Sequence, residues 1–227
     1  MTTRFTKRTT AALGVAVIAA LSFATVADAG PGKGKGGGKG KPSATTTTTE
    51  APSPTTTTPP PPPPSSANEA DAEFVRMMIP HHHQALVMSG LASDRTGNAE
   101  VLALADRIVA EQTVEIGTMQ QWQAFNGFDV TDPVVAYEAM MQNPAMIEMM
   151  GMATQAELEL LATLSGGAFD ELFLRLMIDH HQGAVDMCVR VMTDGQEPVL
   201  QSMATEMLTT QSTQIVQMQA MLGETGA

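Results

Sequence analysis

Apolar side chains recur at intervals of three and four residues through most of the chain beyond residue 69. This spacing is typical of helices that bury one face, and no strand-like alternation competes with it. We therefore expect an all-α fold, with helices over residues 71–89, 98–125 and 197–222. A further helix is expected to begin at Asp170, because Asp71 and Asp170 are residues that favour a helix start.

One stretch of the chain occurs twice, at residues 74–88 and 173–187. The offset is 99 residues without a gap, and two consecutive histidines coincide in both copies. The later helices match at the same offset, so the repeat is a helix pair of about 50 residues rather than a short motif. The matched positions of those helices are Gln112, Glu115, Ile116 and Met119, which correspond to Gln211, Gln214, Ile215 and Met218. Pro80 in the first copy is replaced by Asp179, and the proline is expected to bend its helix.

All five histidines of the protein lie within the two copies. At about 100° of rotation per residue, Met78, His81, His82 and Ala85 share one helix face, and the second copy repeats that face. Thioether and imidazole donors together suit Cu(I) and related soft ions better than Mg or Ca. The alternative is a packed face of hydrogen-bonded histidines, but the matching of the pairs favours a metal site. The candidate ligands on these faces are Met78, His81, His82, Met177, His180 and His181.

The later helix of each pair supplies further candidates. Met119 and Met218 are expected to donate thioethers to the site of their own repeat. Glu115 and Gln214 either orient an imidazole through a hydrogen bond or serve helix packing alone. His83 lies about 100° off the shared face and is expected to be exposed to solvent.

A connector rich in methionine separates the repeats. A helix is expected to open at Asp132-Pro133, Asn143-Pro144 should interrupt it, and Thr154 to Glu157 has the spacing of a capping box. Gly166-Gly167 is expected to close the helix that follows. The connector methionines either pack adaptably over the bundle or form a mobile lid that captures a soft ion, and we favour the lid. They are Met140, Met141, Met146, Met149, Met150 and Met152.

The first 68 residues are predicted to lie outside the folded domain. Residues 1–29 have a basic start, a short apolar run and a small-residue site ending at Ala29, which together predict a cleaved secretory signal. Residues 30–68 are rich first in Gly and Lys and then in Thr and Pro, and such a composition predicts an extended spacer. The lysines of this spacer could touch an anionic cell envelope. The folded domain is expected over residues 69–227, without a transmembrane segment after signal cleavage.

The folded domain is strongly acidic. It contains five arginines, no lysine and 22 acidic residues, which gives a formal charge of −17 over residues 69–227. This balance argues against binding to nucleic acid, which needs clustered Lys and Arg, and it is compatible with attracting cations. Cys188 is the only cysteine, so an internal disulfide is excluded, and we expect this residue to be buried as a small apolar side chain.

The paired Met-Ile-x-His-His-x-x-Ala-x-x-Met stretches resemble the family once labelled domain of unknown function 305. The Gln-x-x-Glu/Gln-Ile-x-x-Met helices and the Phe-Asp-Glu-Leu-Phe-Leu run at 169–174 fit the same family, which includes CopM-type copper-binding proteins. The resemblance covers about residues 69–223. It implies a ferritin-like four-helix bundle and exported copper binding in metal tolerance. The ligands it implies are Met78, His81, His82, Met88 and Met119 in the first half, and Met177, His180, His181, Met187 and Met218 in the second.

Three functions are compatible with this sequence. The first and favoured one is a non-enzymatic exported binder of Cu(I), with Cu(II) and Ag(I) as further candidate ions, acting in copper tolerance or trafficking. The second is a di-metal redox enzyme, but such a bundle site needs a glutamate three residues before each histidine, where this chain has Met78 and Met177. The third is a cell-surface interaction module whose histidines are structural.

Overall fold

Helices account for all the regular secondary structure in this computed structural model, which describes residues 66–225. The predicted signal and nearly all of the predicted spacer lie outside the described residues. The all-α prediction is confirmed for the part described. None of these helices is long and apolar enough to cross a bilayer. In chain order they are α1 (Glu69–Gly90), α2 (Ala92–Arg95), α3 (Ala99–Phe125), α4 (Pro133–Met140), α5 (Pro144–Met149), α6 (Gln155–Thr163), α7 (Gly167–Asp194) and α8 (Pro198–Thr225).

Helix α1 starts two residues before its predicted position. Asn68 is the N-cap: its side chain accepts from the Asp71 backbone N–H at 3.0 Å, and Asp71 accepts from the Asn68 N–H at 2.9 Å. Asp71 is therefore the third residue of a capping box rather than the cap itself. Its carboxylate also accepts from the backbone N–H groups of Gln196 and Glu197, and so joins α1 to the loop before α8. Asn68, which the sequence assigned to the spacer, thus caps the first helix of the domain.

Other helix ends follow the sequence more closely. Asn98 caps α3, and Pro198 is the first residue of α8. A backbone N–H at that position has no partner within the helix, so proline is well tolerated there. Thr154 and Glu157 form the expected capping box of α6. The expectation that Gly166-Gly167 closes α6 is wrong, because α6 ends at Thr163 and Gly167 already begins α7.

The two repeats form two helix hairpins that meet through their first helices. Helix α1 packs against α3, α7 packs against α8, and α1 and α7 contact each other. Helices α1 and α7 run in opposite directions, since the Asn68 side chain at the start of α1 donates to the Asp194 carbonyl at the end of α7 at 2.7 Å. Helix α1 continues through Pro80 without a break in its assignment. This arrangement brings the two histidine turns together at mid-helix.

The interior contains two large apolar clusters, each built from both repeats. We name them after one methionine in each. Members of the Met78 cluster include Phe74, Met78, Ile116, Met119, Ala184, Cys188, Leu200 and Met207. Members of the Met177 cluster include Ala85, Met88, Leu104, Ile108, Leu158, Leu161, Phe173, Leu176, Met177 and Met218.

Cys188 is fully buried in the Met78 cluster, as expected. Burial raises the pKa of its thiol to about 12, and the nearby Glu115 carboxylate adds to that shift. The thiol is therefore protonated at neutral pH and packs as a small apolar group.

Candidate metal centre

Two pairs of consecutive histidines lie buried where α1 crosses α7. His81, His82, His180 and His181 are all fully buried. The rings of His81 and His180 lie face to face, with centroids 3.7 Å apart and planes tilted by 32°. The His180 Nε2 also donates to the His81 carbonyl at 2.9 Å, so the two helices are joined at the histidine turn itself.

Every Nε2 atom of the four rings has an oxygen partner. The two rings that face each other use backbone carbonyls, while His82 and His181 use side chains of the second helix in their own hairpin. The partners expected from the sequence, Glu115 and Gln214, are therefore confirmed as hydrogen-bond partners. The distances from Nε2 are 3.1 Å for His81 to the Met150 carbonyl, 2.8 Å for His82 to Glu115 Oε2, and 2.7 Å for His181 to Gln214 Oε1.

These partners fix which nitrogen of each ring carries the proton. A carbonyl or carboxylate oxygen only accepts, so Nε2 must be the protonated atom of each neutral ring. The Nδ1 atom then keeps its lone pair, and among residues 66–225 none of the four Nδ1 atoms has a partner in hydrogen-bonding geometry. His181 makes one further backbone hydrogen-bond contact, with Met177, outside that geometry. Four Nδ1 atoms without a partner in hydrogen-bonding geometry are thus enclosed in the protein, where an unpartnered polar atom costs free energy.

Burial also keeps three of these rings, those of His81, His180 and His181, neutral. It lowers the pKa of His81 to about 3 and that of His181 to about 4, and it lowers the pKa of His180 well below its ordinary value. Repulsion between the imidazoles contributes to each shift, while the hydrogen-bonded oxygens oppose it. A neutral imidazole is the form that binds a metal ion, so these rings need no deprotonation at physiological pH.

The candidate methionines divide between the two clusters in a way the sequence did not predict. Met78 and Met119 lie in one cluster, and Met177 and Met218 lie in the other, each pair from one repeat. Met88, grouped with the first half by its sequence, packs instead with the Met177 cluster. Met187 packs, partly buried, against the Met78 cluster. The antiparallel crossing of α1 and α7 explains the exchange, because the end of each helix lies beside the start of the other.

The connector lies directly over the histidines. Met150 provides the carbonyl that accepts from His81, and Gln84 forms two hydrogen bonds with the backbone of Ala153, at 2.7 and 2.8 Å. The connector side chains also form an apolar cluster of their own, which contacts Met77 and Met187 of the long helices. The buried members of this cluster are Met140, Ile147, Met150 and Met152. The connector thus covers the histidine turns through both backbone hydrogen bonds and thioether packing.

Two glycines allow the connector backbone to approach α7. A Cβ at Gly183 would overlap the carbonyl of Met150, and a Cβ at Gly151, whose φ is +63°, would overlap the Asp179 carbonyl. We expect Gly183→Ala to lower the free energy of unfolding by about 3 kcal/mol, because backbone rather than a flexible side chain must move. Urea denaturation followed by circular dichroism measures this change.

Gly117 provides the matched control, since it lies within α3 and a Cβ there meets nothing within 4 Å. Gly117→Ala should raise the free energy of unfolding by about 0.5–1 kcal/mol, because glycine loses more backbone entropy in a helix than alanine. A Gly183→Ala protein as stable as the wild type would contradict the close approach.

His83 is not solvent-exposed, contrary to expectation. It is half-buried, and its ring lies 5.2 Å from the ring of Tyr137 on α4. Helix rotation correctly places His83 off the shared face. The periodicity of α1 could not show that α4 packs over that side of the helix.

Three polar residues of the site region were not assigned a role from the sequence. Gln112 and Gln211 are buried at matched positions of α3 and α8, and their side-chain amides have no hydrogen-bond partner among the described residues. The sequence does mark these two residues, because a glutamine recurs at the offset of 99 residues on a largely apolar helix face. Gln84 is not marked in this way, because the corresponding residue in the other copy is Gly183.

Geometry limits the kinds of metal site that the interior can form. No three side chains drawn from His, Cys, Asp and Glu are grouped to hold an ion within residues 66–225. A site at the histidine turns would therefore use few nitrogen donors. Low coordination numbers and sulfur ligands suit soft monovalent ions.

Fold and site together define an all-α protein with a duplicated helix hairpin and paired, buried histidines. The profile of the family described as Domain of unknown function (DUF305) matches residues 71–222, and the chain belongs to this family. The expected membership is confirmed. Among curated proteins, none matches the sequence.

Solved structures of related proteins share this fold. A DUF305 protein of Streptomyces coelicolor, described as a candidate secreted protein, is 34% identical with a TM-score of 0.60, covering 70% of this chain and 94% of that one. A DUF305 fragment from Deinococcus radiodurans is 33% identical with a TM-score of 0.62, covering 71% and 99%. CopM in its Cu(II)-bound form is 32% identical with a TM-score of 0.58, covering 68% and 96%. CopM structures with Cu(I) and with silver are similar as well.

Proposed function

We propose that this protein is an exported, non-enzymatic binder of copper that holds Cu(I) between the paired histidines of α1 and α7. The single observation that carries the proposal is the set of four buried Nδ1 atoms without a partner in hydrogen-bonding geometry. A cation bound by one or two of these nitrogens would supply a partner that the fold lacks. Copper is favoured because CopM, a relative, has been solved with Cu(II), Cu(I) and silver.

The oxidation state follows from the chemistry of the donors. Neutral imidazole and thioether ligands in a dry interior match Cu(I), and by the same chemistry Ag(I). Cu(II) favours tetragonal sites of nitrogen and oxygen, which the interior offers less well, so we place Cu(II) as the weaker ligand. The ligands would be drawn from the imidazoles and from Met78, Met88, Met119, Met177, Met187 and Met218.

Export and a role in copper tolerance or trafficking complete the proposal. The basic start, apolar run and Ala29 site support secretion, and one relative is described as a candidate secreted protein. A long Thr/Pro spacer after the signal would hold the domain away from the envelope surface. The acidic domain would attract cations there.

Titration of the secreted form of the chain with Cu(I) against a competing chelator tests the proposal. We expect a dissociation constant far below micromolar, with nitrogen and sulfur neighbours in the X-ray absorption spectrum of the bound copper. Binding no tighter than micromolar would overturn it. Binding of two irons per chain with oxygen-dependent turnover would favour the di-metal enzyme instead.

One observation favours the interaction module. Each of the four imidazoles already has one hydrogen bond, as structural histidines do. Four lone pairs without donors are not explained by that function, and we therefore rank it second.

A further inference from the structure

A groove opens on the surface beside the histidine crossing. It has a volume of about 160 Å³ and lies between the first half of α1, the second half of α7 and the end of α5. Four methionines line it: Met77, Met149, Met150 and Met187. Since a water molecule occupies about 30 Å³ in the liquid, this volume accommodates a small cation with several waters.

Packing alone does not explain the most exposed of these methionines. Met149 is 52% exposed, so it fills no part of the core. Met77 and Met187 are only partly buried, and Met150 alone is fully enclosed. An exposed thioether in an exported protein is open to oxidation, which makes a purely structural role for Met149 costly.

The internal repeat provides a comparison for this surface. At the offset of 99 residues, Met77 corresponds to Leu176, which is buried in the Met177 cluster together with Leu158 and Leu161 of α6. In the second copy this position is therefore an aliphatic side chain that packs with α6. In the first copy it is the partly exposed thioether of Met77, so the helix hairpin itself does not require sulfur at this position.

Charge at the groove favours a cation. Three carboxylates line it, from Glu73, Asp186 and Asp194, against the single guanidinium of Arg190. Asp186 and Asp194 correspond to Val87 and Arg95 in the other copy, so the negative charge is particular to this face. Carboxylates attract cations generally, whereas thioethers retain only soft ones.

The groove is directly connected to the buried imidazoles through Met150. Met150 lines the groove, and its carbonyl accepts the hydrogen bond from His81 Nε2. We propose that the groove is a second, outer site for monovalent soft metal ions, where Met77, Met149 and Met187 capture the ion before it passes Met150 to the histidines. The transfer of the ion from the groove to the histidines rests on the proposed function, whereas binding of the ion in the groove does not.

The test compares the Met77→Leu/Met149→Leu variant with the wild type. Leucine conserves volume closely enough that the fold should tolerate both changes. Transfer of Cu(I) from a coloured chelator complex, followed by stopped flow, should be at least tenfold slower in the variant, with the final affinity within twofold of wild type. Met192→Leu is the matched control, because Met192 is 40% exposed on α7 and does not line the groove; it should load at the wild-type rate.

A second arm examines the groove without the imidazole site. In a His82→Gln/His181→Gln protein, the groove should still bind one Ag(I) whose absorption spectrum shows sulfur neighbours, and adding Met77→Leu/Met149→Leu should remove that ion. Unchanged loading rates in the leucine variant, or no sulfur-bound Ag(I) in the glutamine protein, would overturn the groove proposal. Failure of the imidazole proposal alone would leave this sulfur-bound ion in place.

Discussion

Replacing both His82 and His181 by alanine is expected to weaken Cu(I) binding at least a hundredfold. The change removes two of the four unpartnered Nδ1 lone pairs, one from each hairpin. It also removes the hydrogen bonds to Glu115 and Gln214 and leaves a cavity, so the free energy of unfolding should fall by about 2–4 kcal/mol. Competition titration with a Cu(I) chelator measures the affinity, and urea denaturation measures the stability.

Two further variants separate lost ligands from lost structure. The glutamine pair, His82→Gln/His181→Gln, can keep an N–H donor near the Nε2 position but has no Nδ1 lone pair, so it should lose affinity with a smaller loss of stability. His83→Ala removes an imidazole one residue outside the buried pair and should leave the affinity unchanged. An alanine pair that loses stability but binds Cu(I) as tightly as the wild type would identify the histidines as structural and support the interaction module.

The exact internal repeat explains why so much of the fold could be predicted. A gapless offset of 99 residues predicts two similar helix hairpins, and for Glu115 and Gln214 it left two roles open, a hydrogen bond to an imidazole of their own hairpin or helix packing alone. Both hydrogen bonds are present, at 2.8 and 2.7 Å. Contacts within one hairpin depend on helical spacing, which the sequence shows directly.

Contacts between the hairpins were beyond prediction because they depend on how two helix surfaces cross. Periodicity identifies the buried face of α1 and of α7 but not the direction in which they run past each other. This is why Met88 and Met187 appeared to belong to their own repeats and instead pack against the opposite clusters. The stacking of His81 on His180 depends on the same crossing.

The connector contacts were equally hidden, because they use backbone atoms. The Met150 carbonyl at His81 and the Ala153 backbone at Gln84 carry no side-chain signature. In the sequence, the close approach is marked by Gly151 and by Gly183, which stands at the position where the other copy has Gln84. A glycine in a helix interior often marks a place where another part of the backbone packs close to the helix.

Lowering the pH should strongly destabilise the metal-free protein. In the unfolded chain a histidine takes up a proton near pH 6.5. In the folded protein burial keeps His81 neutral to about pH 3 and His181 to about pH 4, and the pKa of His180 is also well below its ordinary value. The unfolded state therefore binds more protons than the folded state below neutrality, so acid favours unfolding.

The magnitude follows from the same linkage. Between pH 7 and pH 5 His81 and His181 should each lower the free energy of unfolding by about 2 kcal/mol, or about 4 kcal/mol together, and the lowered pKa of His180 acts in the same direction. That sum is a large part of the stability of a typical domain, about 5–15 kcal/mol, so the metal-free protein should be much less stable at pH 5 than at pH 7. The loss begins as the pH falls below about 6.5 and continues until the folded rings themselves accept protons.

Urea denaturation at pH 7, 6 and 5 measures the slope, and proton–nitrogen NMR of the imidazoles tests its origin. The rings of His81, His180 and His181 should remain neutral as the pH falls to 5 while the protein stays folded, with Nε2 protonated and Nδ1 bare. Stability that does not change between pH 7 and pH 5, or ring titrations centred near pH 6.5, would show that water reaches the histidines. In that case the Nδ1 lone pairs would already have donors, and the main argument for an enclosed ion would be lost.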